Sequence, residues 1–131
     1  MKSSRRHKKE QPLRWVIESL QEEPSYIEKS MFGCLACYLH GRLSLLLSSG
    51  EEPWKGLLIP TDHRFHDSIR SDYQNVVQHP VLKKWLYLPE STEDFEADAA
   101  LIIDAIRLND PRFGVEPVEK ISRKRRGRVK S

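Results

Sequence analysis

The chain has 131 residues, 38% of them hydrophobic and 31% charged, with a formal net charge of +3. One domain is expected from that length. No run approaches the roughly 18–20 apolar residues of a membrane span. The basic start leads into no apolar signal segment, and two cysteines cannot build a disulfide framework. These features argue against a membrane protein or a secreted disulfide scaffold and point to a reducing, cytoplasmic compartment.

The charge is segregated. Residues 1–10 carry Lys2, Arg5, Arg6, Lys8 and Lys9 against Glu10, a net +4. Residues 119–131 carry seven bases against Glu119, a net +6, and the body between the two, 11–118, sums to −7. Like charges crowded into short segments with few apolar residues predict two disordered arms around one folded domain. A body of that length can bury roughly two thirds of its unfolded surface.

Leu13, Val16, Ile17 and Leu20 recur at i, i+3, i+4 and i+7, which predicts an amphipathic helix over about 12–22. A strand over 31–40, a turn at His40-Gly41 and a strand over 43–49 read as a hairpin. A third strand over 54–60 extends it to an antiparallel meander. Asp62 is placed to cap a helix over 63–72 that buries Phe65 and Ile69. A short strand near 75–78 and a strand over 83–90 follow, the latter with Trp85 and Tyr87 on one face and Leu86 and Leu88 on the other. Ser91 and Asp94 form a capping-box-like pair for a last helix whose stripe is Phe95, Ala99, Ile102 and Ile106, ended by Asn109-Asp110-Pro111. The expected fold is α+β, two-layered, with a five-stranded antiparallel sheet under three helices.

Three motifs resemble the N-terminal-like domains of the TfoX family: Ser30-Met31-Phe32-Gly33-Cys34, Gly41-Arg42-Leu43, and Trp85-Leu86-Tyr87-Leu88-Pro89-Glu90 before an acidic, Ala-rich helix. The resemblance covers roughly residues 11–110 and implies an α-β3-α-β2-α order shared with type III secretion chaperone-like domains. It also implies a regulatory or interaction role, as in competence gene regulation. Cys34 departs from the family pattern by standing where a second glycine is usual, and a basic tail replaces the C-terminal domain of longer members.

Four constellations could carry chemistry. Cys34-Leu35-Ala36-Cys37 reads as a redox pair or, with His40, as half a zinc site; in a strand, however, positions i and i+3 face apart, which predicts buried, inert thiols. His63 and His66 share a helical face, and His79 could add a third metal ligand beside Asp62. The spacing lacks the His-Glu-x-x-His pattern, and ordinary surface histidines are expected instead. Trp54, Trp85 and Tyr87 could form a partner surface or stack a base, with core packing the expectation for Trp85. Arg5, Arg6, Lys8, Lys9, Arg123, Lys124, Arg125, Arg126 and Arg128 could bind phosphates weakly and without sequence preference. Nucleophile elbows and phosphate-cradling glycine loops are absent from the sequence.

The leading expectation is a non-enzymatic regulatory or interaction module with an unidentified protein partner, no cofactor and no membrane association. The alternatives are a nucleic-acid-associated protein acting through its tails, and a small metal-dependent enzyme built on His63, His66 and His79.

Overall fold

The computed structural model describes residues 11–31 and 33–117. The predicted basic arms therefore lie outside the described residues. Within them the protein is an α+β fold: a six-stranded antiparallel sheet with three helices. The strands are β1 (Ile27–Met31), β2 (Cys34–Leu39), β3 (Arg42–Ser49), β4 (Lys55–Ile59), β5 (Val77–Gln78) and β6 (Leu86–Pro89), in the spatial order β1-β2-β3-β4-β6-β5. The helices are α1 (Glu18–Gln21), α2 (His66–Asp72) and α3 (Phe95–Arg107).

The apolar stripe of the first helix is real: Leu13, Val16, Ile17 and Leu20 are all buried. Its hydrogen bonding differs from the expectation. Residues Arg14–Ile17 form a 3-10 turn, and only Glu18–Gln21 are α-helical. A 3-10 turn keeps i and i+3 on one side, so the stripe survives the tighter winding. A similar turn, His63–Phe65, leads into α2, with the Asp62 carboxylate accepting the Arg64 N–H at 3.0 Å as predicted. Ile69 is buried and Phe65 half-buried. The expected Ser91–Asp94 capping box does not form. Asp94 takes the cap position of α3 without a side-chain bond. At the other end Asn109 adopts φ 62°, and the N–H of Asp110 reaches the Ala105 carbonyl at 3.0 Å. That is a Schellman closure with asparagine at the left-handed position.

The expected five strands are six, because 31–40 is not one strand. Gly33, at φ +74°, breaks it, and Ile27–Met31 folds back antiparallel on Cys34–Leu39. The His40-Gly41 turn joins β2 to β3 with both residues at positive φ, 57° and 75°. That is the conformation that matches strand twist in a two-residue hairpin. The predicted strand 83–90 is ordered as a strand only over Leu86–Pro89.

Both faces of the sheet are apolar. One packs beneath the helices: Cys37, Leu39, Leu45, Leu47, Leu57, Ile59, Leu86 and Leu88 meet the stripes of all three. The opposite face carries Cys34, Ala36, Tyr38, Leu43, Leu46, Leu58 and Tyr87, and among the described residues no helical one joins this second cluster. A bulge distributes β3 between the two. Cys37 pairs with Leu45 but Tyr38 with Leu43, so Ser44 is the extra residue. Leu43 and Leu46 therefore fall on the helix-free face while Leu45 and Leu47 point under the helices. The buried Ser44 hydroxyl donates to the Arg42 carbonyl at 3.1 Å, which satisfies it.

Candidate functional site

The helix-free face gathers the aromatic residues singled out in the sequence. Trp85 and Tyr87 lie on this side, opposite Leu86 and Leu88, as the strand period requires. Tyr87 is buried, at 2% exposure, so it is no exposed stacking platform. Its hydroxyl accepts the Lys55 N–H at 3.0 Å and lies 2.8 Å from both the Glu52 carboxylate and the Lys55 carbonyl. Burial raises the tyrosine above its ordinary range, and the neighbouring Glu52 adds to the rise. Trp85 was expected in the core and is instead half-buried, with Trp54, Met31, Leu82 and Val115, against this cluster. Three loops thus do here what helices do on the other side: the segment before β4, the segment between β5 and β6, and the stretch around Val115, which bridges Leu43 antiparallel.

The two loops nearest Trp54 meet at His79. This residue was expected at the surface, yet its side chain is fully buried, at 0% exposure. Its Nε2–H donates to the Pro53 carbonyl at 2.8 Å, and its Nδ1 accepts the N–H groups of Val81 and Leu82 at 3.1 and 2.9 Å. These partners require the neutral ring with its proton on Nε2. Trp54 lies against the ring, with centroids 4.4 Å apart, and Tyr87 meets it edge-on at 5.2 Å. Burial holds the imidazole below the usual histidine range, while the Pro53 bond pulls the other way.

The proposed histidine constellation is not assembled. The rings of His63 and His66 do stack, at 4.6 Å. His66 is buried, however, and its Nε2 lies 2.9 Å from the Lys84 carbonyl, while both nitrogens of His79 are committed to backbone. Among the described residues no three histidine, cysteine or acidic side chains are grouped so as to hold a metal ion. Asp62 serves as a helix cap.

The cysteines follow the strand argument. Cys34 belongs to the helix-free cluster and Cys37 to the core beneath the helices, and they form no disulfide. Burial pushes the Cys37 thiol up to about 11, and the Tyr26 hydroxyl, 3.5 Å from its sulfur, offsets only part of that. Tyr26 also donates to Glu28, whose carboxylate Arg14 grips with two bonds of 3.1 and 3.0 Å. The Arg14 bonds hold Glu28 below the usual carboxylate range.

Sequence reasoning missed one surface feature. An open depression of about 590 Å³ is lined by Trp15 and Phe95 with Glu90, Glu93, Asp94 and Glu96. The ring of Trp15, 45% exposed, meets Phe95 edge-on at 6.2 Å. The acidic residues are visible in the sequence as the approach to a helix, where they favour the dipole; that Trp15 stands beside them is a product of α3 packing on the first turn. The basic residues proposed to bind phosphates, Arg5 to Lys9 and Arg123 to Arg128, lie outside the described residues. No helix among the described residues is long and apolar enough to cross a membrane. Comparison of the chain with protein-family models, with curated proteins and with solved structures gives no match.

Proposed function

We propose that this chain is a small non-enzymatic regulatory or protein-interaction module, and that it meets its partner on the helix-free face of the sheet, around Trp54 and Trp85. The observation that carries this reading is the asymmetry of the two faces. Three helices seal one of them. Among the described residues the other is closed only by loops, and five apolar side chains at its margin stay partly open: Met31, Trp54, Leu82, Trp85 and Val115. Tryptophan at a rim of that kind offers a large contact area at low ordering cost. The resemblance of the motifs around Met31, Gly41 and Trp85 to TfoX N-terminal domains points the same way, toward regulation by contact.

The test is site-specific photo-crosslinking in cells. A photoreactive phenylalanine analogue replaces Trp85 in one variant and Leu101, an exposed residue of α3, in another. One discrete protein adduct from position 85, absent from position 101, is the expected result. No adduct from position 85, or the same adducts from both, overturns the reading.

A second reading rests on charge segregation. Two cationic arms flank an acidic body, and such arms neutralise phosphates by counterion release without reading sequence. We propose nucleic-acid association through the arms as this alternative.

A further inference from the structure

The contacts of His79 describe a joint that one proton would undo. The ring is fully buried. It ties two loops distant in sequence: the Pro53 carbonyl on one, and the N–H groups of Val81 and Leu82 on the other. A proton arriving at Nδ1 would replace its lone pair with an N–H aimed at two N–H donors. Both bonds would be lost and like dipoles opposed, so the charged ring cannot stay where it is. Trp54 rests on this ring, and the two loops cover Tyr87 and the helix-free cluster.

We propose that His79 is a proton-sensitive latch: its protonation releases the loops bearing Trp54 and Leu82 and uncovers the apolar helix-free face while the sheet and helices stay folded. Among the described residues no charged group is placed to compensate a charged ring. The Glu52 carboxylate is engaged by the Tyr87 hydroxyl, and Glu51, Lys55, Lys83 and Lys84 are exposed. Among the described residues no carboxylate lies within salt-bridge distance of the imidazole. The lowered basicity of the buried ring agrees in direction. The open form takes up a proton near the ordinary histidine value of about 6.5, whereas the closed form resists it, so opening is favoured as pH falls below that value. One pH unit below it, the open population rises about tenfold. The latch operates whether or not the uncovered face takes a partner.

The experiment is amide hydrogen exchange on the whole chain at pH 7.5 and 5.5, corrected for the intrinsic pH dependence. Protection of Val81 and Leu82 is expected to fall about tenfold, with Leu47 and Leu57 in the central strands unchanged. A His79→Gln variant retains a donor and an acceptor but cannot titrate, and it is expected to lose this pH dependence. The wild-type measurement decides even if that variant fails to fold. Unchanged corrected protection at Val81 and Leu82, a simultaneous loss in the central strands, or the same loss in a folded His79→Gln variant overturns the proposal.

Discussion

Arg112 Nη1 donates to Asp72 Oδ2 at 2.8 Å although 40 residues separate the two. The same guanidinium binds Asp110 through Nε and Nη2 and reaches the Ser68 hydroxyl at 2.8 Å. One side chain therefore pins the segment leaving α3 to α2. That segment then sends Phe113 into the main core and Val115 onto β3.

Replacing Arg112 by Ala should cost about 2 kcal/mol, the range for charged hydrogen bonds of partly buried groups. The two acidic arms should contribute unequally. The Asp72 side chain is 56% exposed and solvent-screened, whereas that of Asp110 is 21% exposed. Asp110→Asn should therefore destabilise more than Asp72→Asn in urea titrations. The Arg112 bonds hold Asp110 below the ordinary carboxylate range. Its contribution is complete above the unfolded carboxylate value and is lost as pH falls through the lower folded value, so the Asp110→Asn penalty should shrink in acid.

Gly56 has φ +147° on β4, opposite Pro89. A Cβ there would penetrate the Leu88 carbonyl and crowd the Glu90 N–H, both backbone atoms that cannot swing away. Gly56→Ala should cost more than about 3 kcal/mol or prevent folding. Gly33 is the control: it has φ +74° with open space around its missing Cβ. Gly33→Ala should cost only the left-handed penalty of about 1–2 kcal/mol. Equal losses at the two sites in denaturant melts would contradict this account.

The thiols should behave as core atoms. Both are buried, and burial pushes the Cys37 thiol up to about 11, so at pH 8 that sulfur holds little thiolate. Alkylation followed by mass spectrometry should give no rapid modification of native protein and two equivalents after unfolding. A fast single equivalent at pH 8 would show that one sulfur is accessible.

The arms should carry any polyanion binding, because the body has net charge −7. A chain trimmed to residues 11–118 should melt as a folded domain and lose most affinity for short duplexes and single strands. Affinity of the full chain should fall steeply with salt and vary little with base sequence. Anisotropy across a salt series on both chains measures this. Equal affinity of the two, or no binding by the full chain at low salt, removes the nucleic-acid reading.

Legibility in the sequence followed local periodicity. The stripes at Leu13 to Leu20 and Phe95 to Ile106, the hairpin at His40-Gly41 and the two faces of Trp85 to Leu88 each rest on spacings of a few residues, and each appears in the fold. β1 escaped because an edge strand need not alternate. Glu28, Lys29 and Ser30 interrupt its two apolar ends, and most of it is exposed. The bulge at Ser44 was equally silent, since Leu43, Leu45, Leu46 and Leu47 read as apolar whichever face each takes.

The sequence by itself determined the α+β class, the helical stripes, the opposed cysteines and the separation of basic arms from an acidic body. These depend on residue type and on spacings of two to four. Tertiary structure alone decided that the helix-free face is buried beneath loops, that Tyr87 is inside, and that His79 joins Pro53 to Val81 and Leu82. The physical reason is common to all three. A loop's cover, and the charge state of a ring beneath it, depend on which distant backbone groups arrive there, and no local periodicity encodes that arrival.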